Sequence, residues 1–358
     1  MLESVRAILP DWPEWALDVL LVMSALLVAA IIFSSFFTSE EEKESVSIEV
    51  DHANKEKVKE FNKFRRQYMA VYLVIMLADW MQGTHMYTLY LSYNVNIAAL
   101  FLTGFLSGAF FAPFLGSAVD KFGRKKSCMV YCVLEIIINI LEHSTNFQVL
   151  LLGRVLGGIS TNLLFSAFES WMTSAHRKLG FPEEWLSKTY SEASVGNGAT
   201  AILAGIVSQV LEDYFGHIGP FQGAVALTAL ALVMILPWSE NYGDSSESEP
   251  SSLYQQFAQG WKTTLSNSNV WKIGLTQALS EGAMYTFVFM WVPTLLSLEP
   301  PGGLPTGCVF SAMMMAITIG GMLYPTLQKL FSKAEGCASF IYLLASLSMA
   351  VPAVVLNK

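Results

Sequence analysis

The chain has 358 residues, of which 53% are hydrophobic and 14% charged, and a formal net charge of −8 at neutral pH. So apolar a composition excludes an ordinary soluble globule. The acidic balance points to no nucleic-acid partner, because the basic residues fall in every second loop between apolar runs and mark topology instead.

Ten apolar spans lie at roughly 16–37, 68–90, 97–119, 127–142, 148–173, 188–211, 219–237, 270–298, 306–328 and 337–356, mostly long enough for a hydrocarbon core about 30 Å thick. Only helices satisfy their own backbone polar groups in lipid without closing into a barrel, and a barrel would show short alternating segments. The expected fold class is therefore an all-α polytopic membrane protein. The first span follows Glu3, Asp11 and Glu14 with only Arg6, the wrong sign for a signal peptide, and its run is long for one. It reads as a retained extra helix, with a cleaved leader as the alternative.

The segment after it carries Lys43, Lys55, Lys57, Lys59, Lys63, Arg65 and Arg66. Further basic residues follow at Lys121, Arg124, Lys125 and Lys126, at Arg177, Lys178 and Lys188, at Lys262 and Lys272, and at Lys329 and Lys333. The loops near 91–96, 143–147, 212–218 and 299–305 carry none. The positive-inside tendency makes the basic loops cytosolic and the N-terminus extracytosolic.

Ionisable residues inside spans are expensive and point to function or to buried pairs. Asp79 lies mid-span with Gln82 one turn on, and Glu281 lies near the middle of the eighth span, so both acids are placed to face one central cavity. Arg154 heads Gly153-Arg154-Val155-Leu156-Gly157-Gly158, where small residues allow close packing and the guanidinium needs an anion or a buried acid such as Asp79 or Glu192. Glu169, near the cytosolic end of its span, suits gating or pairing with the basic loop, whereas Glu135 and Glu192 read as structural pairs. Cys128 and Cys132, one turn apart, read as packing residues with no further ligand nearby, so no metal site is expected.

The loop after the third span reads Gly116-Ser-Ala-Val-Asp120-Lys-Phe-Gly123-Arg124-Lys125-Lys126. Two glycines around an acid, followed by a basic cluster, allow a tight turn whose Asp pairs with Arg or caps a helix. In its place between helices two and three of a six-helix unit, this spacing resembles the signature loop of the major facilitator superfamily. The resemblance implies a second six-helix unit. Lys121 and Lys125 do recur as Lys329 and Lys333, although Gly116 and Asp120 fall on Tyr324 and Gln328. It also implies a gating motif of Gly116, Asp120, Gly123, Arg124, Lys125 and Glu169, with Asp120 and Arg124 bracing the second unit. Against that fold the last three helices of the second unit are missing. The expected organisation is an N-terminal region with the extra helix (1–38), a cytosolic charged segment (39–67), a six-helix unit (68–237), a linker (238–269) and a three-helix incomplete unit (270–358). The linker begins polar and acidic, and Leu253, Phe257 and Trp261 then follow at helical spacing, as in an amphipathic surface helix or an interdomain contact.

Ala78-Asp79-Trp80-Met81-Gln82, Gly153 to Gly158, Leu163 to Trp171, Phe181-Pro182-Glu183-Glu184-Trp185 and Glu240-Asn241-Tyr242 together resemble the eukaryotic molybdate-anion transporter branch of that superfamily. The resemblance implies molybdate uptake across the cell membrane by alternating access, without a cofactor. A tetrahedral dianion needs converging donors, which Arg154, Gln82, Asn162 and Ser166 supply if they share the cavity. With Asp79 and Glu281 added, these residues form the expected substrate pathway. A proton on Asp79 or Glu281 when the anion binds would relieve repulsion and make protons the coupling ion. The sequence carries no H-E-x-x-H, G-x-S-x-G or phosphate-loop motif, so an enzyme or ATP-driven pump is not expected. The alternatives are a carrier for another anion or a sugar, and a non-transporting membrane sensor. The oligomeric state is open.

Overall fold

A computed structural model describes residues 12–37, 55–243 and 253–356. Glu3, Arg6, Asp11, Lys43 and most of the acidic linker lie outside the described residues, as do the side chains of Leu253 and Phe257. Among the described residues there are eleven helices and no strand. They are α1 (Glu14–Phe37), α2 (Lys55–Ser92), α3 (Ile97–Phe122), α4 (Arg124–Leu141), α5 (Phe147–Lys178), α6 (Glu183–Phe215), α7 (Gly219–Ile235), α8 (Leu253–Ser266), α9 (Ser268–Leu296), α10 (Thr306–Gln328) and α11 (Ala334–Leu356). Each expected span falls on one helix, and α8 stands where the linker's helical spacing begins.

Six of them, α1, α3, α5, α6, α10 and α11, are long and apolar enough to cross a membrane by length and composition. The apolar runs of α2, α4 and α9 are interrupted by polar residues such as Asp79, Gln82, Glu135, Asn139 and Glu281, while α7 is short at 17 residues. The largest departure from expectation is α2, which starts at Lys55 and so includes much of the charged segment. Lys, Glu and Arg are good helix formers, and Phe61 and Phe64 give this stretch a face to bury.

Local signals set the helix ends. Asn96 and Asn146 cap α3 and α5 by accepting from the Ala99 and Gln148 amides at 3.1 and 2.9 Å. Glu183 and Glu184 follow Pro182 in the first turn of α6, and His176, Arg177 and Lys178 occupy the last turn of α5. Both placements suit the helix dipole.

The described chain forms two compact units. The first takes residues 12–17 and 55–311, so α9 and the start of α10 belong with α2 to α7. Its core holds Leu89, Tyr90, Leu100, Leu150 and Phe221 from α2, α3, α5 and α7. Towards the end of the bundle away from the basic loops, α9 meets α2 and α3 through Tyr87–Phe289, Phe101–Phe289 and Phe105–Tyr285, with ring centroids 6.3, 5.3 and 4.9 Å apart. At the same end α10 begins against α6. The Gly307 amide donates to Gln209 Oε1 at 3.0 Å, and Ser311 Oγ donates to the Ile202 carbonyl at 2.7 Å. A Cβ on Gly205 or Gly307 would strike the other helix's backbone, so these glycines let the helices touch. The second unit takes 18–37 and 312–356, where Ser24 Oγ meets Met315 sulfur at 3.7 Å and Phe331 packs on Phe340.

Candidate functional site

The signature loop is a closed hydrogen-bonded turn. Gly123 has φ +110°, and a Cβ there would lie 2.7 Å from Glu240 Cδ, so only glycine fits on both counts. The Lys125 and Lys126 amides at the start of α4 donate to Glu240 Oε1 and Oε2 at 2.8 and 3.1 Å, placing a carboxylate on that helix N-terminus. Arg124 Nη2 and Nε donate to Asp120 Oδ1 at 2.7 and 2.8 Å, and Lys125 Nζ donates to the Leu236 carbonyl at 2.7 Å. Backbone bonds join Arg124 to Asn241 and Gly243 to Asp120, each 3.0 Å long. Asp120 and Arg124 thus hold each other, and the loop is also tied to residues 236–243. A Cβ on Gly116 would meet open space. Glu240→Ala is expected to cost about 1 kcal/mol, as capping losses do, and Glu240→Gln less; thermal unfolding in detergent checks both.

Beside this turn a cleft of about 940 Å³ opens at the basic end of the bundle. One side is a file of hydroxyls on α5, namely Ser166, Ser170, Thr173 and Ser174, and the cations Arg124, Arg177 and Lys178 also line it. Glu169 stands among them, as does Tyr190, whose hydroxyl meets Thr173 at 2.5 Å. Arg177 is held by Glu183 through Nε at 2.8 Å. Ser166 Oγ donates to the Asn162 carbonyl at 2.7 Å, within its own helix.

Deeper in the bundle, Gln82 Nε2 donates to Glu135 Oε2 at 2.9 Å, and Asp79 precedes Gln82 by one turn on the same helix. Asn139 Nδ2 donates to the Glu135 carbonyl at 2.8 Å. One amide therefore joins α2 to the Glu135 carboxyl group on α4, and Glu135, Gln82 and Asn139 are all buried.

Arg154 sits apart from that group. Its Nη2 donates to Glu142 Oε1 at 2.6 Å, its Nη1 contacts Met86 sulfur at 2.8 Å, and its guanidinium lies 5.7 Å from the Tyr90 ring centroid. Tyr90 donates to the same Glu142 oxygen at 2.9 Å. Glu142 is buried at the C-terminal end of α4. Among the described residues, Arg154 Nε and Glu142 Oε2 have no hydrogen-bond partner.

The six expected pathway residues are thus distributed. Asp79 and Gln82 stand together, Arg154 belongs to the Glu142 pair, and Ser166 lines the cleft. Asn162 Nδ2 donates to the Gly108 and Gly158 carbonyls at 2.9 and 2.8 Å, locking α3 to α5. Glu281 accepts from Gln277 on its own helix at 2.7 Å. Glu192 pairs with Arg65 at 2.9 Å. Sequence reasoning missed Glu142, which closes an apolar run and looks like a loop residue, although Glu135, Asn139 and Glu142 share one face of α4 by their spacing. It also missed buried His85, whose Nε2 lies 2.8 Å from Glu212 Oε2, while Glu212 Oε1 takes His217 at 2.6 Å. Among the described residues no group of His, Cys, Asp and Glu side chains is arranged to hold a metal, and all four cysteines are buried and free.

Residues 23–357 match a family model described as sugar transporters with twelve transmembrane spans. The molybdate-anion transporter of Xenopus laevis is 36% identical over 272 residues, covering 74% of this chain and 58% of that protein. That of Danio rerio is 32% identical over 290 residues, covering 74% and 60%. The chain therefore spans a little under two thirds of the length of these curated relatives. Among solved structures, a point mutant of the nucleoside transporter NupG superposes with a TM-score of 0.63 at 12% identity, covering 75% of this chain and 69% of that one, and NupG itself with 0.55 at 13% identity, covering 79% and 68%. Helix order, the signature loop and these matches agree: the chain is a multi-pass membrane protein of the major facilitator superfamily, standing beside that superfamily's molybdate-anion transporters.

Proposed function

We propose that the protein moves molybdate or a closely similar oxyanion across the cell membrane as a secondary transporter, with the basic loops cytosolic and the N-terminus outside. The observation that carries the proposal is the cleft on α5. Ser170, Ser174 and Lys178 face one space with Arg124 and Arg177, which already hold Asp120 and Glu183, and with the acids Glu169 and Glu240; such converging donors are what a tetrahedral dianion needs in place of its hydration shell. Along the same helix Arg154 keeps an unused Nε–H, a second donor further from the basic end. Alternating access is supported by the asymmetry of the contacts. The α9 and α10 contacts with α2, α3 and α6 lie away from the basic loops, and the hydroxyl-lined cleft opens beside them, as an inward-facing carrier requires.

Proton coupling is assigned to Asp79, one turn before the Gln82 that holds Glu135. An ionisable carboxyl group within a span is costly to keep charged and gives a moving proton a place to ride. Uptake is expected to rise as external pH falls in the wild type and to lose that dependence in Asp79→Asn. Uptake indifferent both to external pH and to Asp79→Asn removes the proton from the mechanism. The family's sugar-transporter description favours one rival, a sugar carrier built on the same fold. Competition decides between them: unlabelled molybdate or sulfate suppresses labelled molybdate uptake under the oxyanion reading, whereas suppression by hexoses alone supports the rival.

A further inference from the structure

At 38 residues α2 is about 57 Å long. Its apolar stretch begins at Tyr68, so residues 55–67 extend beyond the hydrocarbon with most of the basic residues of their loop. This extension is anchored, because Phe61 packs on Phe181 and Trp185 with centroids 5.4 and 4.9 Å apart, and Phe64 packs on Trp171 at 6.0 Å.

Its flank forms a second cleft of about 940 Å³ between α2 and the C-terminal ends of α5 and α7, which meets the hydroxyl-lined cleft at Lys178 and Asn241. The rim carries Lys63, Arg66 and Lys178 against a single acid, Glu60. Arg65 and Arg177 next to them are committed to Glu192 and Glu183. Among the described residues, Lys63, Arg66 and Lys178 have no acidic partner within 4.0 Å. The wall below is apolar, built on Phe64 and on Trp171 stacked against Trp238 at a centroid distance of 3.7 Å.

Cations above an aromatic wall at the membrane boundary suit an amphiphile and not a free oxyanion, which would lose hydration against the tryptophans without gaining donors. We propose that this cleft binds the headgroup of a polyphosphorylated inositol lipid from the leaflet at the basic end, with its glycerol and upper acyl chains on the tryptophan wall. Three unpaired cations match a headgroup with several phosphate charges, whereas a serine headgroup would leave most of them unpaired. The inference rests on the membrane reading alone, not on the identity of the transported substrate.

The test uses the full chain in phosphatidylcholine nanodiscs doped with a photoactivatable phosphatidylinositol bisphosphate, with phosphatidylserine at equal total charge as competitor. Labelled peptides are expected within 60–71, 171–179 and 234–241, and phosphatidylserine should compete weakly. Lys63→Gln, Arg66→Gln and Lys178→Gln together should lower labelling about tenfold or more, since each basic residue near an anionic surface contributes a severalfold affinity. Lys121→Gln, Lys126→Gln and Lys329→Gln, which remove the same charge elsewhere, should leave it unchanged. Labelling of the wild type outside those peptides, equal loss in the control variant, or full competition by phosphatidylserine overturns the proposal. The peptide map needs no substitution, so it decides the matter even if the triple variant fails to fold, and no outcome depends on molybdate transport.

Discussion

Glu142→Ala is expected to destabilise the protein by about 3–5 kcal/mol, the usual cost of removing one partner from a buried ion pair. Arg154 would keep its charge among Met86, Tyr90 and the apolar ends of α4 and α5, with no carboxylate to answer it. Tyr90 would lose its acceptor in the same step. Replacing both charges with apolar groups of similar size, as in Glu142→Leu with Arg154→Met, should recover much of the loss, because the desolvation cost disappears along with the attraction. A double-mutant cycle on thermal unfolding in detergent reads the coupling directly. If the two single losses simply add, the pair does not hold these helices together.

The second large effect is expected at Gly158. A Cβ there would strike the Gly108 amide nitrogen and come within 2.6 Å of Ser107 Cβ, so α3 and α5 would have to separate. Separation also loosens two bonds across the same crossing, Asn162 Nδ2 to the Gly108 carbonyl at 2.9 Å and Ser107 Oγ to the Val155 carbonyl at 2.7 Å. Overpacking by about 1–3 kcal/mol and roughly 1 kcal/mol for each hydrogen bond point to a loss near 3 kcal/mol or more for Gly158→Val. Gly157→Val is the matched control, since a Cβ on Gly157 meets open space. Yield and melting temperature of the two variants should differ sharply; equal behaviour would mean that α3 and α5 do not cross as described.

The helices were legible because lipid imposes a length and because charges mark where each helix leaves it. Asp79 and Gln82 could be placed on one face from one turn of spacing, and the need of Arg154 for an acid followed from its burial cost. Its actual partner was harder to find, because Glu142 sits where an apolar run ends and an acid there looks solvated. The signature loop was readable as a glycine turn with an Asp–Arg pair. Its attachment to Glu240 and Asn241 was not, since those residues lie more than a hundred positions away and local periodicity carries no information about them. Glu281 faced the same limit. Symmetry between two repeats suggests a shared cavity, but the side chain is satisfied by Gln277 one turn earlier on its own helix. The helical extension of α2 was obscured by its charge, which composition reads as loop until Phe61 and Phe64 are seen to find an aromatic partner surface.

The oxyanion path proposed for this protein runs along the hydroxyl-lined face of α5. The most direct measurement is labelled molybdate accumulation in uptake-deficient cells expressing this chain extended with the remaining length of the Xenopus laevis relative, beside the same protein with Ser166→Ala and Ser170→Ala. Accumulation that saturates, and that falls in the double variant at equal membrane abundance, is the predicted result. No accumulation by the extended protein at the cell surface, or accumulation untouched by the two substitutions, would contradict the claim.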